Sequence, residues 1–316
     1  MRSYAVRNSA QTGRYHVEKE HVMSYYQGKF SRRSFIGGAA ALAASTLIAK
    51  PTFAAEKPNS NFGGVHIGAI TYSFRSMPST AEDLLGYLVT CGLSTVELMG
   101  DAAENFAKKH TPATGVDGPM DGYEALGKMY ADAGVGIHIV KFGNIGDETM
   151  TDAEIEYYLR AAKASGAKGI TREISPEAAK RLGPFADKHE IMIAFHNHTK
   201  ITPTTYDGDI LSYGKFLGIN LDIGHYLAGT NESPIPMIEK HHDRILSLHL
   251  KDRKKNNGAN LPWGQGETPI GEVLKFIQQN KYPIFPDVEL EYDVPADSDA
   301  VKEVAKCVEF CRAALA

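Results

Sequence analysis

Strand-like and helix-like segments alternate eight times between residues 65 and 314, and this alternation limits the fold more than any other feature of the sequence. The strand-like segments are short apolar runs, which are typical of parallel strands buried on both faces. Eight consecutive strand–helix units predict a single closed (β/α)8 barrel, an α/β fold of the TIM-barrel type. The predicted strands are 65–72, 95–99, 136–141, 169–173, 191–198, 219–222, 245–251 and 283–291.

The segments between these strands carry helix start and stop signals. Thr151 is a candidate N-cap, and Gly92 suits the position just after a helix. The polar stretch 100–118 is interpreted as an insertion. A doubly wound open sheet is the alternative fold, but residues 68–73 lack the GxGxxG loop that such a sheet usually places after its first strand. The predicted helices are 80–91, 123–133, 152–165, 177–189, 209–216, 235–241, 270–279 and 298–314.

The first 54 residues differ in composition from the rest. The hexapeptide SRRSFI at 31–36 is a twin-arginine pattern, and the apolar run 37–48 follows it. Small residues at Thr52 and Ala54 suit cleavage after Ala54. The run is too short and too rich in Gly and Ala for a membrane span, so it resembles a signal for the Tat export machinery. A disordered N-terminus with a chance arginine pair is the alternative. We therefore expect a mature barrel domain at 55–316, periplasmic or otherwise exported.

Charge and cysteine content exclude several classes of protein. The formal net charge of −4 becomes −10 for residues 55–316, because residues 1–54 carry eight Lys or Arg and two Asp or Glu. An acidic surface is a poor match for a polyanion, so nucleic acid is not an expected partner. No stretch after the signal reaches membrane-spanning length, so we expect no membrane partner. The three cysteines form no Cys-x-x-Cys motif and are expected to pack in the core.

Acidic and imidazole side chains stand at the predicted C-terminal ends of four strands. They are Glu173, Asp222, His249 and, on the last strand, Glu289 or Glu291, which share a face because they lie two residues apart. The active site of a parallel barrel lies at the carboxyl ends of its strands, so we expect these groups to converge. Carboxylates and an imidazole without thiolate suit a divalent ion such as Mn²⁺, Mg²⁺, Co²⁺ or Zn²⁺.

Three segments resemble the xylose-isomerase-like sugar isomerase/epimerase superfamily, which includes D-tagatose 3-epimerase and inosose dehydratase relatives. They are IMIAFHNH at 191–198, the stretch 220–229 with its Asp-x-Gly-His, and LHLKD at 248–252. The resemblance covers 65–314, and its motifs are specific for the superfamily but not for one activity. It implies one metal ion held by four ligands, and also proton exchange by two glutamates, Glu173 and Glu291, on opposite faces of a sugar. The implied ligands are Glu173, Asp222, His249 and Glu291, with Glu289 as the register alternative.

Several imidazoles are candidate substrate-binding groups. His196 stands where several relatives of the superfamily carry Glu, and His198 points the same way on that strand. We interpret both as substrate-binding or proton-handling groups, with a hydrogen-bonded structural role as the alternative. His225 is expected at the rim, where it binds substrate or orients Asp222. Its alternative role is to cap the turn.

Two further candidates come from the segment after the seventh strand. Lys251 shares the face of His249 and can reach a substrate oxygen, and a solvated rim lysine is the alternative. Trp263, the only tryptophan, lies in the loop 256–268. It is interpreted as a stacking platform for sugar, with an anchor that holds the loop to the barrel as the alternative.

These residues predict proton transfer next to a carbonyl. A metal bound to a carbonyl and its neighbouring hydroxyl acidifies the C–H between them and stabilises the enediolate, while one carboxylate acts as base and another as acid. We therefore expect an isomerase or epimerase of an unphosphorylated carbohydrate or polyol, with a keto-sugar lyase, dehydratase or hydratase as the alternative. The resemblance also allows a homo-oligomer.

Two other classes of protein are alternatives. A phosphodiesterase like endonuclease IV needs an Asp-x-His after the seventh strand, where this chain has Asp252, Arg253 and Lys254. That element is missing, and the acidic charge and the export signal also weigh against it. A non-catalytic metal- and sugar-binding barrel is the remaining alternative, although a degenerate copy would usually have lost one of the four candidate ligands.

Overall fold

The computed structural model describes residues 57–111 and 115–316. The predicted Tat signal and the cleavage after Ala54 lie outside the described residues. The described chain forms a closed barrel of eight parallel strands with helices around it, so the predicted TIM-barrel fold is confirmed. The strands are β1 Gly68–Ile70, β2 Thr95–Met99, β3 Gly136–Lys141, β4 Gly169–Glu173, β5 Met192–His196, β6 Leu217–Asp222, β7 Ile245–Leu250 and β8 Phe285–Val288.

Each strand pairs with its neighbours along the chain, and β8 closes the barrel against β1. At this closure Asp287 stands opposite Gly68. A Cβ at Gly68 would lie 2.1 Å from Asp287 Oδ1, so only glycine lets the two strands meet with this buried aspartate between them. On its other side β8 pairs with β7, and there Asp287 lies opposite His249.

Nine helices occur among the described residues, and several of their starts follow from local sequence. Thr151 caps α4 as predicted. Its hydroxyl accepts the Glu154 N–H, and the Glu154 carboxylate accepts the Thr151 N–H. Gly92 follows α1 with a positive φ of 72°. The helices are α1 Ala81–Thr90, α2 Gly100–His110, α3 Asp121–Asp132, α4 Asp152–Ala164, α5 Pro176–His189, α6 Ile223–Thr230, α7 Ile235–His241, α8 Ile270–Asn280 and α9 Ala300–Ala314.

Three predictions of local structure are wrong. The stretch 100–118 is not simply an insertion, because α2 begins directly after β2 and buries Ala103 and Phe106 against the barrel. The predicted helix 209–216 is only a short 3-10 turn at Asp209–Leu211. The helix α6 follows β6 without a loop and was missed, although Asp222 caps it from the strand end.

The first and last strands are shorter than predicted. β1 covers only Gly68–Ile70, and a 3-10 turn at Thr71–Phe74 follows it. β8 ends at Val288, so Glu289 and Glu291 lie beyond the strand. The Glu289 N–H still donates to Leu250 O at 2.9 Å, which holds Glu289 beside the end of β7.

Apolar side chains fill the space between the barrel and its helices. The three cysteines are free and buried there, as the sequence predicts. Within residues 57–111 and 115–316, the helices are all too short or too polar to cross a membrane.

Candidate active site

Asp222 ends β6 and also caps α6, so one residue belongs to both elements. Its Oδ1 accepts the His225 N–H at 2.7 Å. The Asn197 side chain clamps the Asp222 backbone, since its Oδ1 accepts the Asp222 N–H at 2.9 Å and its Nδ2 donates to Asp222 O at 3.1 Å. Asp222 is completely buried, and these bonds leave its Oδ2 directed into the barrel mouth. The position of this carboxylate is therefore fixed by backbone contacts.

The His249 imidazole lies between two buried carboxylates. Its Nε2 is 2.8 Å from Glu97 Oε2, and its Nδ1 is 3.0 Å from Glu289 Oε2. Burial alone would lower the pKa of His249, but the two carboxylates outweigh burial and raise the pKa well above its ordinary value. Glu97 was not among the predicted site residues. Its signal in the sequence is a lone acid inside the apolar strand Thr95–Met99.

Three buried atoms at the mouth, Asp222 Oδ2, His249 Nδ1 and Glu289 Oε2, make no well-aligned hydrogen bond within the described residues, although a charged group lies within 3.0 Å of each. Asp222, His249 and Glu289 each offer one ligand atom, and these atoms lie within 4.8 Å of one another. Two carboxylates and an imidazole are a donor set for a divalent cation. Glu97 accepts from the other imidazole nitrogen, as the outer partner of a metal-bound histidine commonly does. The residues present therefore fit a metal ion.

The Lys251 ammonium lies among the same carboxylates. Its Nζ is 2.8 Å from Asp222 Oδ2, 2.8 Å from Glu289 Oε2 and 2.6 Å from Glu291 Oε2. Burial opposes the charge, but the carboxylates outweigh it and raise the pKa of Lys251 above its ordinary value. The side chain is only 2% exposed, so the alternative of a solvated rim lysine is wrong. A positive charge therefore already stands beside the atoms that would bind a metal.

Glu291 lies outside the group formed by Asp222, His249 and Glu289. Its Oε2 accepts from Lys251 Nζ at 2.6 Å and from Asn260 Nδ2 at 3.4 Å. The preference for Glu291 assumed a strand that runs to residue 291, whereas β8 stops at Val288 and puts Glu289 nearest the strand end. The geometry favours the register alternative, Glu289, as a ligand and gives Glu291 the role of a partner for Lys251.

Glu173 stands beside this group rather than in it, and it clusters with His196 and His198. Its Oε1 accepts from Lys141 Nζ at 3.0 Å, and its Oε2 lies 3.0 Å from His198 Nε2. Burial raises the pKa of this carboxyl, but the bonds from His198 and Lys141 outweigh burial and lower the pKa to about 2. Its side chain is 44% exposed, so an ionised carboxylate faces the barrel mouth.

Two further imidazoles join Glu173 to Asp222. His196 and His225 form a group with Asp222 whose ligand atoms lie within 4.8 Å. Burial, with the nearby His249 charge, lowers the pKa of His196 well below its ordinary value. Its Nδ1 has no partner in the described part of the chain. Burial and the Lys251 ammonium lower the pKa of His225 to about 3. Both imidazoles are therefore neutral at neutral pH.

Trp263 lies against the outer helix α9. Its ring meets Phe310 edge-on with centroids 5.5 Å apart, which is the arrangement expected of the loop anchor. Asp252 holds the same loop, since its carboxylate accepts the N–H groups of Gly264, Gly266 and Thr268. The structure does not bring Trp263 to the cluster of imidazoles and carboxylates.

The sequence matches the family described as xylose isomerase-like TIM barrel over residues 87–313. This chain belongs to that family. No curated protein sequence matches it.

Solved structures with the same fold include proteins of different stated activities. A xylose isomerase domain protein from Alicyclobacillus acidocaldarius has 13% identity and a TM-score of 0.62, over 79% of this chain and 99% of that protein. The probable 3-DHS dehydratase AsbF from Bacillus anthracis has 14% identity and a TM-score of 0.61, over 78% and 98%. A sugar phosphate isomerase/epimerase from Parabacteroides distasonis has 19% identity and a TM-score of 0.55, over 79% and 94%. At these identities the likeness shows the fold.

The contacts of Lys251 lead to a prediction about metal affinity. Lys251→Met removes the competing ammonium, so Mn²⁺ should bind about tenfold more tightly or better, as measured by isothermal titration calorimetry. Glu291→Gln should weaken Mn²⁺ binding, because the ammonium loses the partner that draws it away from Asp222 and Glu289.

The double variant separates the two roles of Glu291. In the Lys251→Met background, Glu291→Gln should leave the Mn²⁺ affinity unchanged, because Glu291 then has no ammonium to hold. An equal loss of affinity in both backgrounds would identify Glu291 as a metal ligand and contradict this account. Glu232→Gln, at an exposed glutamate, serves as the control.

Proposed function

We propose that this member of the xylose isomerase-like family is a divalent-metal-dependent isomerase or epimerase. It acts on an unphosphorylated carbohydrate or polyol by moving a proton next to a carbonyl. One observation carries the proposal: the buried ligand atoms of Asp222, His249 and Glu289 lie within 4.8 Å of one another, beside the ionised, half-exposed Glu173. A candidate cation site and an ionised, accessible carboxylate are thereby close together.

The metal would be held by Asp222, His249 and Glu289, with Glu97 fixing the imidazole. When bound, it supplies a Lewis acid that polarises a substrate carbonyl and stabilises the negative charge of the enediolate. The chain itself fixes the geometry, because Asn197 clamps the backbone that carries Asp222. Such preorganisation is what a catalytic cation site requires.

Glu173 is the proposed base. Its lowered pKa keeps it ionised at neutral pH, and its exposure lets a substrate C–H approach it. His198 Nε2 and Lys141 Nζ, each 3.0 Å away, hold the carboxylate in place. The neutral His196 lies in the same cluster and can relay the proton to or from a substrate oxygen. The Glu291 carboxylate, which Lys251 holds, can accept a hydrogen bond from a substrate hydroxyl.

A keto-sugar lyase, dehydratase or hydratase is the second candidate. It shares the proton abstraction and then expels a leaving group instead of returning the proton. The cationic Arg253 and Lys251, which lie 2.6 Å and 3.2 Å from the two ring nitrogens of His225, support it, because positive charge stabilises a departing oxygen. A non-catalytic metal- and sugar-binding barrel is the candidate from another class. Metal binding without turnover on any carbohydrate would favour it.

Glu173→Gln tests the role of the base. Glutamine keeps the size of the side chain but cannot take up the proton, so solvent-deuterium incorporation into a panel of keto-sugars should fall about 10²- to 10⁴-fold. Metal content should stay close to that of the wild type, because Glu173 lies outside the group formed by Asp222, His249 and Glu289. Glu148→Gln, an exposed glutamate, is the matched control. Deuterium incorporation at the wild-type rate in Glu173→Gln would overturn the assignment.

We also propose that the Tat machinery exports the folded barrel and that cleavage follows Ala54. The twin-arginine pattern at 31–36 is the support for this. Arg32→Lys combined with Arg33→Lys should keep the uncleaved chain in the cytoplasm, as measured by cell fractionation and mass spectrometry. Unchanged export of this double variant would contradict a Tat signal, and export of the wild type is the reference.

A further inference from the structure

A cavity of about 310 Å³ lies beside the candidate active site, at the carboxyl ends of β2 and β3. It is bounded by the start of α2, the segment that follows β3 and one face of α4. A volume of this size is at the lower end of the range for small-molecule sites. Its walls include Met99, Asp101, Glu104, Lys141, Phe142 and Tyr158.

The cavity and the active site share one residue. Lys141 forms part of the cavity wall, and its Nζ donates to Glu173 Oε1 at 3.0 Å. A ligand whose reacting ring touches Glu173 can therefore continue past Lys141 into the cavity. One sugar ring cannot occupy both places, so the cavity is suited to a second group on the same substrate.

Two glycines give the cavity its shape. A Cβ at Gly100 would lie 2.6 Å from Lys141 O, so glycine at this position lets α2 begin against the end of β3. At Gly143 a Cβ would meet nothing within 4 Å, and this residue lines the cavity without a side chain to fill it. The space is therefore left open by local sequence.

The lining combines an apolar wall with acidic groups. Phe142 and Tyr158 pack together with ring centroids 4.7 Å apart, and the methionine at 99 adds a further apolar surface. Asp101 and Glu104 supply carboxylates. The one cation among the described lining residues, Lys141, is already paired with Glu173. This charge balance repels phosphate and carboxylate, while the aromatic and carboxylate groups suit an uncharged ring with hydroxyls.

We propose that this cavity is a subsite for an uncharged second ring and that the substrate is a neutral O-glycoside of a keto-sugar, whose reacting ring keeps its carbonyl, rather than a free or phosphorylated sugar. The inference rests on the proposed function for the position of the reacting ring. The glycosidic substituent, a sugar or an aryl group, packs on Phe142 and Tyr158. Its hydroxyls, where present, donate to Asp101 and Glu104.

Methionine methyl groups provide a test that does not depend on turnover. Met99 and Met150 line the cavity, whereas Met192 and Met237 lie elsewhere in the barrel. In the full barrel labelled with [¹³C-methyl]methionine, phenyl glycosides of glucose, galactose and xylose are titrated against the parent sugars and glucose 6-phosphate. Phenyl glycosides should shift the Met99 and Met150 signals, leave Met237 unchanged and bind about threefold to tenfold more tightly than the parent sugars.

Two tyrosines give a pair of variants. Tyr158→Ala removes the cavity wall and should abolish the preference for the phenyl glycoside while leaving parent-sugar binding intact. Tyr213→Ala removes an exposed tyrosine that does not line the cavity, and the preference should survive. Circular dichroism confirms that both variants are folded.

The outcomes separate this inference from the proposed function. Absence of Met99 and Met150 shifts with every phenyl glycoside would overturn the subsite, as would equal shifts with glucose 6-phosphate. Shifts at these two methyl groups, without deuterium exchange into any carbohydrate, would support the subsite and contradict the proposed isomerase function. Deuterium exchange into a carbohydrate, without a shift of the Met99 and Met150 signals, would support the proposed function and contradict the subsite.

Discussion

The organisation of the site depends on a cluster of carboxylates that are buried together at the carboxyl ends of the strands. Asp222, Glu97 and Glu289 are almost wholly removed from water, and an ionised carboxylate in such a place requires a positive charge or several hydrogen-bond donors. The structure supplies an imidazole at His249 and an ammonium at Lys251. A divalent ion held by Asp222, His249 and Glu289 would share with this ammonium the neutralisation of the cluster.

This balance of charge accounts for the different roles of chemically similar residues. Glu289 is buried against His249, whereas Glu291 is partly exposed and bound to Lys251. Glu173 lies at the mouth between Lys141 and His198, where it stays ionised and accessible. A carboxylate that binds metal needs burial and rigid support, and a carboxylate that takes a proton needs access. The barrel provides both, because Glu289 follows β8 with only 7% of its side chain exposed, whereas Glu173 ends β4 with 44% exposed.

Much of the fold followed from periodicity alone, because buried parallel strands and amphipathic helices have different repeats. The convergence of Asp222 and His249 also followed, since strand ends meet on one face. Glu97 was missed because it stands in mid-strand, so no strand-end pattern reveals it. The choice between Glu289 and Glu291 depended on where β8 ends, and local sequence fixes such boundaries poorly. The start of α2 was missed because the helix begins at Gly100, and glycine is a poor helix former. Glycine is needed there because a Cβ would collide with Lys141 O at the end of the adjacent strand β3.

The most direct test of the account is the metal content of the mature barrel, by elemental analysis, beside an Asp222→Asn/His249→Gln double variant. The account predicts about one divalent ion for each wild-type chain and almost none in the folded double variant. A wild type that binds no metal after reconstitution with Mn²⁺, Co²⁺ or Zn²⁺ would contradict it. So would a double variant that keeps its metal, because the ion would then lie elsewhere.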